Sequence, residues 1–395
     1  MSPVTGPAVG HETAELGRSA EQEQFAAALH ELLDAADGPG AARAWAAGDR
    51  APGRAIWREL AGLGVTGLAV PERHGGLGAS PLDLVVACQE LGHHAVPGPV
   101  AESLAAVPAL LAGLAAGPAT FLPTNGAELG AAAASGPTTP AAVSTGLTEA
   151  PTEPTGPAPP ELTGRCAGWL AGLAAGQLLG TLAAPPRVPY AVGADAADLV
   201  LLVSAGSVWL ASPGIQHRSV DATRWLAEVQ PAERLADCAP TAGPAGRAVL
   251  LGTLASAAQL LGAGRALLEA SVRHATQRAQ FGRPIGAFQA VKHQLADVAI
   301  GLEFAQPLLD AAAVTLAAGE GGGSTARRDV SAAKVACADA AYRAARTALQ
   351  VHGAIGYTEE HDLSLWLAKV RALVPAWGSQ AEHRAVVLAS VTGGR

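Results

Sequence analysis

Residues 271–297 read SVRHATQRAQFGRPIGAFQAVKHQLAD. The stretch begins as the end of a long amphipathic helix and breaks at Gly282-Arg283-Pro284. It restarts at Ala287 with Phe288, Val291 and Leu295 at helical spacing. A helix, a Gly/Pro corner and a second helix make a rigid elbow. Arg278 and Gln280 stand just before the corner, where a guanidinium fork can grip a phosphate through two bonds, and Phe281 can pack on a flat ring. Alone, the same residues describe a surface arginine on a helical hairpin.

A second stretch removes that ambiguity. Residues 349–362, LQVHGAIGYTEEHD, place a glycine-rich turn at the end of another helix. Together the two resemble the acyl-CoA dehydrogenase family, which carries an Arg-x-x-Phe-Gly elbow, a Gln a few residues on, and later a Gln-x-His-Gly-Gly-x-Gly-(Tyr/Phe) turn. Here these read Arg278-Ala279-Gln280-Phe281-Gly282, Gln289, and Gln350-Val351-His352-Gly353-Ala354-Ile355-Gly356-Tyr357. The resemblance implies that Arg278, Phe281, Gln289, Gln350, Gly353 and Gly356 bind the adenosine and diphosphate part of FAD, and that they serve the flavin of a neighbouring subunit. An oligomer is therefore expected.

The implied fold is α+β and mainly α. It comprises an N-terminal helical domain over residues 1–111, an Ala/Gly/Pro/Thr-rich insert or linker over 112–165, a small middle β domain over 166–243, and a C-terminal four-helix bundle over 244–395. Within the first part, residues 21–38 read as a helix ended by Gly38-Pro39-Gly40. A second helix runs from about Arg54 to Leu63, and a third from Pro81 to Leu91 is capped by Ser80. The turn His74-Gly75-Gly76-Leu77-Gly78 lacks the glycine spacing of a phosphate loop. Residues 197–203 and 207–211 read as a hairpin, with a short strand near 226–229. Helices are expected over 247–277, 287–318 and 326–352, with a last pair after Leu363.

Composition narrows the partners. The formal charge of −8 and the absence of a basic cluster argue against nucleic acid. Four scattered cysteines without a C-x-x-C pair, and no signal-like start, fit a reducing cytoplasm. The uncharged run 104–122 is broken by Pro108 and Pro118, so no membrane span is read there. Arginine far outnumbers lysine, and Ala, Gly and Pro abound, which suggests a bacterial source. No H-E-x-x-H or H-x-H spacing marks a metal site, and no G-x-S-x-G marks a hydrolase.

Where the resemblance implies a catalytic base, the residues depart from it. Dehydrogenation beside a thioester needs a carboxylate to take the α-proton. In most of the family this is the Glu of a Tyr-Glu-Gly-Thr sequence, which falls here on Ala376-Trp377-Gly378-Ser379; in a minority it lies on the helix before the elbow, which falls on Gly252. No catalytic residue is therefore assigned, and an indole cannot accept a proton. A local gap would bring Glu382 to the first seat instead. The middle domain lacks the family's Thr-Glu-Pro-Gly-x-Gly-Ser-Asp flavin loop: Thr152-Glu153-Pro154 is the only like fragment, and Thr181-Leu182-Ala183-Ala184-Pro185-Pro186 stands before the strands.

Three readings follow. In the first, the chain is one half of a heteromeric FAD-dependent acyl-CoA dehydrogenase, inactive alone, which completes the FAD site of a homologous partner, for example in a heterotetramer. In the second, it is a self-sufficient homo-oligomeric flavoprotein acting on an unusual or carrier-bound acyl thioester. In the third, it is a non-catalytic scaffold of the same fold. An electron-accepting flavoprotein is an implied partner of the first two.

Overall fold

The computed structural model describes residues 18–116, 160–239, 242–319, 323–358 and 360–393. Thr152-Glu153-Pro154 and most of the expected insert lie outside them. The N-terminal part consists of α1 (Ala20–Ala35), α2 (Gly38–Ala46), α3 (Ala51–Gly62), α4 (Pro81–His93) and α5 (Val107–Ala116). Gly38-Pro39-Gly40 does not end a helix as expected but begins α2, because Asp37 accepts from the Gly40 amide and proline suits a first helical turn. Ser80 caps α4 reciprocally with Asp83. Between α4 and α5, residues Glu102–Ala106 form one π-helical turn.

Helix α6 (Pro160–Ala174) occupies the end of the stretch read as an insert and packs on α5. A five-stranded sheet follows, built of β1 (Gly180–Ala183), β2 (Ala191–Val192), β3 (Leu199–Ser204), β4 (Ser207–Arg218) and β5 (Trp225–Asp237), in the order β1-β3-β4-β5-β2. The β1–β3 pair is parallel and the others are antiparallel. The expected hairpin turns at Ala205-Gly206, both at positive φ. The expected short strand near Leu226 is the start of the thirteen-residue β5, whose middle and far end are mostly polar or exposed and carry no apolar run to betray them.

The C-terminal part is α7 (Gly243–Gln277), α8 (Gln289–Ala318), α9 (Ser324–His352), α10 (Leu363–Leu373) and α11 (Gln380–Val391). Its centre is α7, unbroken in burial from Leu250 to Gly264 and packed on α4, α5, α8, α9 and α10. A helix of small and apolar residues on every side has to be a core helix. It crosses α4 at very close range, for a Cβ at Gly262 would fall 1.9 Å from the Gln89 carbonyl oxygen. Between Ser271 and Asp297 the elbow forms as two two-residue strands, β6 (Ala279–Gln280) and β7 (Arg283–Pro284), closing on Gly282.

Among the described residues only α8 is long and apolar enough to cross a membrane. It carries Pro307, buries one side in the bundle and leaves Ile300, Phe304 and Leu308 exposed at four-residue intervals. Residues 104–116 of the uncharged run are instead core helix, with Leu104, Leu110 and Leu111 fully buried.

Candidate functional site

Two regions carry the residues singled out in the sequence, and they differ in character. The first is the end of the bundle where α7 and α9 stop together. His274, in the last turn of α7, stacks on His352, the last residue of α9, with ring centroids 4.3 Å apart. The elbow and the glycine-rich turn are thereby joined. Arg278 terminates α7, and its carbonyl accepts from the Ile285 amide at 2.8 Å, which pins the corner. Arg278, Gln289 and Gln350 are exposed, and Gly353 ends α9 at φ +63. Gly356 is buried against His352 and Leu349.

Phe281 is the most telling residue of this end. Its side chain is 92% exposed and its backbone sits at φ +54, a region that a bulky side chain rarely enters. The ring meets Phe288, edge-on at 6.2 Å, and Arg283 covers that second aromatic at 4.1 Å. An arginine, two amides and an uncovered aromatic suit a diphosphate and a flat ring system, so these residues fit the peripheral part of a dinucleotide such as FAD.

The second region lies inside the molecule, where the two positions at which a base was sought converge. Trp377 is 2% exposed, and a Cβ at Gly252 would fall 2.3 Å from its Cη2 and Cζ3. The indole fills the space that either side chain would have entered. Its backbone is held at φ +63, and its carbonyl accepts from His383 Nε2 at 3.1 Å. Because a carbonyl only accepts, Nε2 carries the proton and Nδ1 accepts from Ser331 at 3.1 Å. Burial first, then Lys334 and Arg187, push His383 down to about 4. Lys334, wholly buried and pushed down to about 7 by desolvation, donates to Ser256 and to the Leu373 carbonyl.

Glu382, which a local gap would bring to the first base position, is engaged as a cap. It bonds the Ser379 amide and hydroxyl, both at 2.7 Å, as the capping box of α11. A different carboxylate lies at the site and was missed in the sequence. Glu102, on the π-helical turn, is 1% exposed, and among the described residues neither of its oxygens has a partner at normal hydrogen-bond geometry. Burial raises it above the usual carboxylate range, while Arg224, its own backbone, the adjacent Trp377 indole and Lys369 oppose the rise. Lys369 in turn lies 3.5 Å from Asp221, whose other oxygen accepts from Thr223. The available signal was a lone acid in the otherwise uncharged stretch between His94 and Glu128, since a charge there is either paired or in use.

At the end of β1 the residues do not fit a flavin. Ala183 and Ala184 are buried, Pro185-Pro186 follow, and Thr181 Oγ1 is buried without a partner. Ser103, beside Glu102, ties the π-turn to this strand through the Gly180 amide and carbonyl. A cavity of about 510 Å³ lies elsewhere, lined by Pro71, Leu84, Ala112, Pro244 and Leu251, and neither Gly252 nor Trp377 reaches it.

The models of the acyl-CoA dehydrogenase N-terminal and C-terminal domains match residues 19–124 and 245–392. The chain is 30% identical over 352 residues to the acyl-CoA dehydrogenase IpdE2 of Mycobacterium tuberculosis, covering 88% of this chain and 90% of that one. Among solved structures it resembles a chain of the ChsE4-ChsE5 complex of the same organism, with TM-score 0.70, 21% identity, and coverage of 96% and 99%. It also resembles a glutaryl-CoA dehydrogenase from Mycobacterium smegmatis in complex with FADH2, with TM-score 0.70, 15% identity and 97% of each chain covered. This chain belongs to the acyl-CoA dehydrogenase family.

Proposed function

We propose that this chain is the complementing half of a heteromeric FAD-dependent acyl-CoA dehydrogenase, which desaturates an acyl thioester on CoA or a carrier at the α,β position. The observation that carries the proposal is the indole of Trp377 wedged against Gly252, which leaves neither family position able to hold a proton-accepting carboxylate. In such an enzyme FAD accepts the β-hydride. This chain's contribution is peripheral: Arg278 grips the diphosphate, Phe281 covers a ring, and Gln289 and Gln350 supply amide contacts to the partner's cofactor. The exposure of that end and the two-chain ChsE4-ChsE5 relative support a hetero-oligomer. The base and the acyl pocket then belong to the partner, and an electron-accepting flavoprotein reoxidises the complex.

The test is the visible spectrum of the purified chain, alone and co-expressed with its most similar family member from the same genome. A flavin spectrum only in the complex, with fewer flavins than subunits, is expected. Arg278→Ala removes a charge-assisted pair of about 1.5–3 kcal/mol, so flavin retention by the complex should weaken about tenfold or more. Full flavin occupancy of the isolated chain overturns the proposal. It would favour the self-sufficient reading, for which Glu102 is the carboxylate to replace, because it is buried beside Trp377.

A further inference from the structure

On the face of the N-terminal part, three histidines and a glutamate from two helices converge. They are His30 of α1, Glu90 and His93 of α4, and His94, which caps α4. Their ring centroids lie 4.7–5.1 Å apart, and one ligating atom from each of the four residues can be chosen so that all fall within 4.8 Å of one another. We propose that His30, Glu90, His93 and His94 bind a first-row divalent cation, Zn²⁺ by preference, as a structural site.

The hydrogen bonds around the cluster prepare it for that role. His93 donates from Nε2 to the Glu269 carboxylate at 3.1 Å, since a carboxylate only accepts, and its Nδ1 is buried without a partner. His94 donates from Nδ1 to the Glu90 carbonyl at 3.0 Å, and its Nε2 is likewise buried without a hydrogen bond, 3.8 Å from the Asp34 carboxylate. Each ring thus has one nitrogen fixed by an acceptor and presents the lone pair of the other, the arrangement that carboxylates and carbonyls impose on metal-bound histidines. Glu90 Oε2 meets His30 Nδ1 at 2.9 Å, bringing the fourth ligand and its charge. The Trp366 indole donates to the His93 carbonyl at 2.6 Å and steadies the backbone.

Three nitrogens and a carboxylate make a closed tetrahedral set suited to zinc. Bonds of about 2 Å place tetrahedral ligands roughly 3.3 Å apart, so the cluster must contract by side-chain rotation. His30, nearly half exposed, is free to make that movement. Motif spacing does not find the set because His30 stands sixty residues before Glu90.

The test uses the full chain with any affinity tag removed, stripped with chelator and titrated with Co²⁺ and then Zn²⁺. One Co²⁺ per chain is expected, with the intense visible bands of a four-coordinate site, displaced by Zn²⁺. Zn²⁺ should also raise the thermal midpoint. His94→Ala and the milder His30→Ala should abolish the bands. Glu269→Gln should weaken affinity about tenfold or more, whereas His217→Ala, whose ring pairs with Glu228 on the sheet, should change nothing. Absence of four-coordinate bands, or bands that survive in a folded His30→Ala chain, overturns the proposal.

Discussion

A methyl group at position 252 would fall 2.3 Å from the Trp377 ring, well inside contact distance. Gly252→Ala should therefore destabilise the chain by about 1–3 kcal/mol through overpacking, read as a lower urea midpoint with an unchanged slope. If the fold absorbs the methyl at no cost, the indole is not wedged there. His383, which holds the Trp377 carbonyl, predicts a response to acid. Its ordinary value is 6.5 and burial lowers it to about 4 in the folded chain. Between those values the unfolded chain binds a proton that the folded chain refuses, so stability falls as pH drops through that window. Integrated from pH 7 to pH 5, this residue accounts for a loss of about 2 kcal/mol. Gln at 383 can still donate to the carbonyl, so His383→Gln should flatten the dependence by that amount in urea melts at the two pH values. An unchanged slope would remove His383 from the account.

At the scale of elements, α8 leaves an apolar stripe uncovered. Phe304 is 76% exposed, and Ile300 and Leu308 extend its stripe along the helix. Burying such side chains is worth about 1.5–3 kcal/mol each, which a subunit interface of the proposed complex would supply. Phe304→Glu should lower the mass of the assembly in light scattering after gel filtration; an unaltered mass would mean this stripe faces water. The elements also show what the sequence makes legible. Helices α4, α7, α8 and α9 were readable within a few residues because caps and apolar spacing are local signals. Asp37 was not recognised as a cap, so Gly38-Pro39-Gly40 read as an end when it is a beginning. In β5, a mostly polar far half hid eight residues of strand beyond Val229.

For the whole molecule, the elbow and the glycine-rich turn were visible as motifs, and the stacking of His274 on His352 puts them side by side. What could not be read were meetings across the chain. Glu102 comes to Trp377 from 275 positions away, and His30 reaches Glu90 from another helix. Such contacts arise from the packing of α1 on α4 and of the π-helical turn and α10 on α7, and no local pattern encodes them.

The fit of Trp377 against Gly252 also bears on history. An acid at 252 cannot be accommodated while the indole remains, and an acid at 377 alone would leave the indole's volume empty around a buried charge. Recovering a base at either place thus takes more than one substitution, and each first step leaves a less stable chain. With the indole on the glycine, a carboxylate at either position is out of reach of single changes, and on the complementing role proposed above the dependence on a second gene product would be hard to reverse.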